Sequence, residues 1–205
     1  MQALAVPALA KEFRGLLNKA FRNEGFVGAT NFYKPMDDDW YAFVSVAIGK
    51  WYGFYWANYN IGVHWVPVEK LCATCLGSKY DKRIASYGYE VKAATGIALD
   101  LKFSDSDGAA ETVDIALRLW REKVGSYLRK MANEQEAERK IKINVGMMGG
   151  NPQRYAALLK YTGQGAKCEA FLSEFGEGLK ARDSDYYLQE WKPFTSRLEV
   201  AGSSD

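Results

Sequence analysis

Little in this chain of 205 residues announces a chemistry. There is one histidine, and there are three cysteines. An odd count of that size does not read as a disulfide framework. Lys plus Arg exceed Asp plus Glu by only two, 27 against 25, so there is almost no long-range field to capture nucleic acid or an anionic membrane. No segment approaches the roughly 18 apolar residues that a spanning helix needs. The opening MQALAVPALAKEF lacks a positive region ahead of an apolar run, and so reads as a helix start and not a signal peptide. The expected compartment is cytoplasmic. No G-x-S-x-G elbow occurs, and GMMGG at 146–150 lacks the Lys-Ser/Thr of a phosphate loop and reads as a loop.

What is abundant is aromatic. Phe, Trp and Tyr make up 14% of the chain, and they crowd into KWYGFYWANYNIGVHW, residues 50–65, where Lys50 is the one charge between Trp40 and Trp65. Before it, Leu9, Phe13, Leu16, Leu17, Ala20 and Phe21 recur at helical spacing, with Pro7 suited to a first turn and Gly25 to the residue past the end. The spacing predicts an amphipathic helix over 7–24. FVGATNFYKPM (26–36) and WYAFVSVAI (40–48) read as strands around a DDD turn. Gly49-Lys50 is expected to be the hairpin connection, with the return strand opening at Trp51.

A short helix over 66–77, a loop holding an irregular strand near 87–91, and an alternating strand over 97–103 follow. Val113, Ala116, Leu117, Trp120, Val124, Tyr127, Leu128 and Met131 then predict one long helix over 109–141, solvated beyond Met131. Asn151-Pro152 opens a helical pair split at Gly163 and Gly165, with Ala166 and Ala170 on its inner stripe. It resembles a single tetratricopeptide-type unit, but without a second copy there is no solenoid. A last helix over 185–198 must bend or split at Pro193. The expectation is an α+β fold: N-terminal helix, antiparallel sheet of about four to six strands, long helix and C-terminal helical cluster. Residues 1–145 would form the α+β domain and 151–200 a helical extension packed on it.

The polar motifs have inexpensive structural readings. Cys72-Ala-Thr-Cys75, with Cys168 and His64, could ligate zinc, yet the pair sits inside a helix pattern at the spacing of core residues and reads as buried thiols. Asp105, Asp107 and Gly108 resemble part of a calcium loop, but Phe103 occupies its first position; capping of a helix by Ser106 or Asp107 suffices. His64 reads as a satisfied strand-end histidine, and Asp37, Asp38 and Asp39 as a solvated turn, because adjacent residues on extended chain point apart. No metal, cofactor or catalytic residue is predicted.

Gly25-Phe26, Asn31-Phe32-Tyr33, the strand VSVAIGKW (44–51) and Asn60-Ile61-Gly62-Val63-His64 together resemble an uncharacterised bacterial domain-of-unknown-function family. The resemblance covers about a quarter of the chain. It implies a helix preceding an antiparallel sheet and brings no catalytic residues.

The functional expectation is a non-catalytic cytoplasmic protein-binding module, of the kind a bacterial immunity or inhibitor protein uses to neutralise a toxin or effector. Its contacts would be Tyr52, Phe54, Trp56, Asn58 and Asn60 on one face of the aromatic strand, with Tyr87 and Tyr89 from the loop, since Trp and Tyr dominate interface hot spots. Two alternatives stand beside it. One is a carboxylate-dependent hydrolase or transferase using Asp37, Asp38, Asp39 or Asp100 with His64. The other is a carbohydrate or nucleic-acid binder on the aromatic face, nucleic acid being disfavoured by the lack of interleaved Lys and Arg.

Overall fold

The computed structural model describes residues 8–97, 99, 101–147, 150–182 and 185–201. Pro7, Asp100, the centre of GMMGG and the end of the C-terminal AGSSD lie outside them. The fold is α+β with a five-stranded antiparallel sheet. The chain groups into two compact units, one from the described residues of 1–64 and 83–132, the other from those of 65–82 and 133–205.

In the first unit, α1 (Ala8–Asn23) buries Ala10, Phe13, Leu17 and Phe21 along one stripe, as its spacing dictates. The chain then folds back on itself: Val27 bridges Tyr33, with Gly28 at a φ of 116° making the turn. The strand expected over 26–36 is therefore two pieces, of which β1 (Asn31–Pro35) joins the sheet. β1 pairs antiparallel with β2 (Trp40–Trp51), which neighbours β3 (Phe54–Trp65). β3 in turn pairs with β4 (Tyr87–Glu90) near its end and with β5 (Leu101–Phe103) near its start.

The hairpin closes at Tyr52-Gly53 and not at Gly49-Lys50. Both loop residues have positive φ, 39° and 92°, as a type I′ turn requires and as its match to strand twist favours. The correction matters because moving the turn re-pairs every side chain across the two strands. Trp51 now lies opposite Phe54. Gly49 lies beneath Trp56, so close that a β-carbon there would come within 2.2 Å of the ring. Glycine is needed at 49 to admit that ring, not to turn the chain.

One sheet face is fully covered. Phe32, Ala42, Val44, Val46, Tyr55, Ala57, Tyr59, Ile61, Val63, Leu101 and Phe103 are all buried. Phe13 stacks on Phe103 at 4.6 Å, and Phe21 stacks on Phe32 at 4.8 Å. Over this face runs a helical rod: α4 (Ser106–Leu119), a π turn (Trp120–Val124) and α5 (Gly125–Met131). Asp105 caps it, accepting the Gly108 N–H at 2.8 Å, so the cap falls one residue before the expected Ser106 or Asp107. Ile97 was expected inside the sheet but is 56% exposed. The preceding α3 (Val91–Thr95) ends at left-handed Gly96, and the Ile97 N–H bonds the Thr95 hydroxyl, which turns the chain outward.

The long helix predicted over 109–141 breaks at Ala132. Asn133 then caps α6 (Glu134–Val145), its side chain accepting the Glu136 N–H at 2.9 Å. α6 is not a solvated continuation either, for Ala137 and Ile141 are buried. It belongs to the second unit with α2 (Val66–Leu76), α7 (Pro152–Tyr161), α8 (Gly165–Lys180) and α9 (Lys192–Ala201). Here α7 packs on α2, α6 and α8. Gly77 ends α2 in the left-handed conformation, its N–H bonding the Thr74 carbonyl. α8 turns Cys168 inward together with Phe171 and Phe175, the two rings as expected, whereas Ala166 and Ala170, expected on the same stripe, are exposed. Pro193 neither stops nor splits the last helix. A π turn (Tyr187–Trp191) just before it absorbs the distortion, and the Lys192 N–H bonds the Tyr187 carbonyl.

Candidate functional site

The second face of the sheet is buried at Tyr33 and Phe43 and opens towards the hairpin tip. From the hairpin tip inward it carries Trp51 opposite Phe54, Trp56 over Gly49, then exposed Ala47, Asn58 and Asn60. Tyr52 at the tip is 91% exposed and Trp51 is 60% exposed. Phe54 and Trp56 are half-buried against their neighbours. β5 brings Lys102 opposite Trp56, with its ammonium 5.5 Å from the Phe54 ring, a cation–π distance. Five of the seven predicted contacts, Tyr52, Phe54, Trp56, Asn58 and Asn60, thus share one continuous surface.

The other two do not. Tyr87 and Tyr89 are 2% and 7% exposed. They alternate onto the covered face of β4, where the Tyr87 hydroxyl donates to the Met131 carbonyl at 2.8 Å and Tyr89 packs edge-on to Tyr127. They are core residues. Conversely, Trp51 and Lys102 belong to the surface and were missed. Trp51 was assigned to the opposite face by the misplaced turn, and Lys102 is thirty-seven or more residues beyond the hairpin and arrives only through β5 pairing. The readable signal for Trp51 was Tyr52-Gly53 itself, an X-Gly pair between two aromatic runs.

Tyr52 is the one non-glycine residue with positive φ among the described residues. For a bulky side chain the left-handed region costs about 1 kcal/mol or more, and such outliers concentrate at binding sites. At its far end the same face is closed by the segment 83–86. His64 is fully buried there, its Nδ1 donating to the Ile84 carbonyl at 2.6 Å and its ring stacked on Tyr41 at 5.8 Å. The Arg83 carbonyl accepts from the Asn31 side chain, and Gly62 leaves room for Ala85, whose Cβ would otherwise stand 2.9 Å from a side chain at 62.

Of the residues proposed for catalysis, His64 and Asp37 make local structural bonds. Asp37 Oδ1 accepts the N–H groups of Asp39 and Trp40 at 2.9 and 2.8 Å, which makes the 37–39 segment an exposed Asx turn. Asp100 lies outside the described residues. No group of three or more His, Cys, Asp or Glu among the described residues is placed to hold a metal ion. Cys72, Cys75 and Cys168 are buried free thiols. Burial, reinforced by the nearby Glu69 carboxylate, pushes the Cys72 thiol up to about 12; burial also raises Cys75 and Cys168. A thiol raised in the fold ionises first in the unfolded chain. Its contribution to stability is therefore complete below the unfolded pKa and declines as pH rises from about 9 towards 12. At pH 8 the native protein is expected to leave all three thiols unreacted with a disulfide reagent over minutes, and urea to release three per chain. Rapid native labelling would contradict their burial.

No family model, no curated protein and no solved structure matches this chain.

Proposed function

We propose that the chain is a non-catalytic protein-binding module of the cytoplasm, and that it grips its partner with the tip and open face of the β2–β3 hairpin. A toxin- or effector-neutralising inhibitor is the reading that suits such a surface. The observation that carries it is the pair Trp51-Tyr52, held out at the tip with Tyr52 in a backbone conformation that glycine or asparagine would adopt more cheaply. Amphipathic aromatics presented on a rigid turn are what hot spots are made of. Behind them Phe54, Trp56, Asn58 and Asn60 extend a mixed apolar and polar footprint, and Lys102 adds one positive charge.

Substitution separates grip from stability. Tyr52→Gly relieves the left-handed strain and is expected to raise folding stability by about 0.5–1 kcal/mol. Trp51→Ala and Tyr52→Gly together are expected to weaken partner binding at least a hundredfold, the scale of two interface hot spots. The measurement is a pull-down from native lysate followed by affinity determination with the captured partner, alongside urea titrations. A wild-type bait that retains no stoichiometric protein, or a doubly substituted bait that retains it unchanged, would sink the proposal.

A second reading has one observation in its favour. Trp56, Asn58 and Asn60 stand on the same face, a ring beside two amides, as sugar-binding faces use them. Oligosaccharide binding would quench Trp fluorescence without steep dependence on salt, whereas nucleic-acid binding would weaken sharply with salt.

A further inference from the structure

The covered side of the sheet holds a second feature, independent of the hairpin tip. Between the sheet and the helical rod of the first unit lies a cavity of about 20 Å³. Its walls are Phe21, Val44, Ile61, Leu119, Trp120 and Val124. Into this apolar lining one polar side chain projects. Tyr59 is 7% exposed, and its hydroxyl has no hydrogen-bond partner among the described residues.

Two facts make this more than a packing flaw. A phenylalanine at 59 would fill the same volume without burying an unsatisfied hydroxyl, an arrangement that native cores avoid. In addition, the wall opposite is the π turn, whose first and last residues, Trp120 and Val124, both line the cavity. π turns are rare, and they collect at functional sites because they re-aim the side chains at their ends. Gly125 follows, and a β-carbon there would come 3.5 Å from the Trp120 ring, against which the Phe26 ring packs edge-on at 4.7 Å. A trapped water is a poor occupant, since it needs two to four polar partners and the lining offers one hydroxyl.

We infer that this cavity is a binding site for a small apolar molecule carrying a single hydrogen-bonding oxygen, which pairs with the Tyr59 hydroxyl while its apolar part displaces the Trp120 ring. The space as it stands admits only a group of one or two heavy atoms, so a ring-sized ligand enters by widening the site at the π turn. Such a ligand has one polar end and no charge, because nothing in the lining would compensate a buried ion.

The test compares phenol with benzene, on the wild type and on Tyr59→Phe, by calorimetric titration and by diffraction from soaked crystals. Phenol is expected to bind saturably at one per chain and about tenfold more tightly than benzene, the worth of one neutral hydrogen bond. In Tyr59→Phe that preference should vanish while the protein folds as before. No saturable binding of either compound would overturn the inference. So would an equal phenol preference in both proteins, or a single water on Tyr59 that phenol fails to displace.

Discussion

Replacing Arg154 by methionine is expected to destabilise the second unit by about 3–5 kcal/mol. Arg154 on α7 meets Glu69 on α2 with side chains only 17% and 10% exposed. Nη2 donates to Oε2 at 3.2 Å, and Nε lies 2.5 Å from Oε1 as a charge contact without hydrogen-bond alignment. Removing the guanidinium strands a carboxylate that is nine-tenths buried, and stranding is what costs, far more than the pair contributes net. The companion experiment replaces both residues by leucine, which should recover most of the loss. Urea midpoints of the wild type, Arg154→Leu, Glu69→Leu and the double leucine variant form a double-mutant cycle. A single-substitution cost below about 1 kcal/mol would place the pair among ordinary surface bridges.

Phe21→Ala should cost about 3–5 kcal/mol in the first unit. Phe21 is 1% exposed, stacks on Phe32 and meets Phe26 edge-on at 5.1 Å. It thereby joins α1 to β1 and the turn before it. Truncation leaves a void beside the existing cavity, and the residue cannot be replaced by collapse of the ring pair alone. The reading is a lowered urea midpoint with an unchanged slope. Benzene should bind the enlarged space more tightly than it binds the wild type and return part of the stability, as ligands of the native state do. A loss under 1 kcal/mol would mean that α1 is not docked where these rings place it.

These residues also show what could be read from the chain in advance. The stripe Phe13, Leu17, Phe21 declared a helix and its buried face because a 3.6-residue period leaves few alternatives. The antiparallel sheet and the Asn151-Pro152 helix start were legible for similar local reasons. Phe54, Trp56, Asn58 and Asn60 fall on one face because parity holds within a single strand, and Tyr52 stands in the turn at its tip. Errors began where parity had to cross a turn. Gly49 looked like a loop residue and instead makes room for the Trp56 ring, a requirement visible only once the strands are paired. Tyr87 and Tyr89 looked like loop aromatics; their pairing to Val63 and Ile61 draws them into the core. α6 looked solvated because two small or isolated apolar residues, Ala137 and Ile141, are a faint stripe that becomes meaningful beside α7. The Tyr59 cavity and the π turns have no sequence signature of their own, since both arise from how distant segments fill space.

The backbone passes from the first unit to the second after His64, comes back at Arg83 and departs again after Ala132. Neither unit is thus a single uninterrupted stretch, and no one protease cut can excise either of them whole. On the ribosome, α2 emerges with Val68, Cys72 and Cys75 bare, long before the α7 and α9 surfaces that bury them are synthesised. Maturation of the second unit must therefore wait for α9, and termination between α7 and α9 would release a chain whose α2 has only part of its cover.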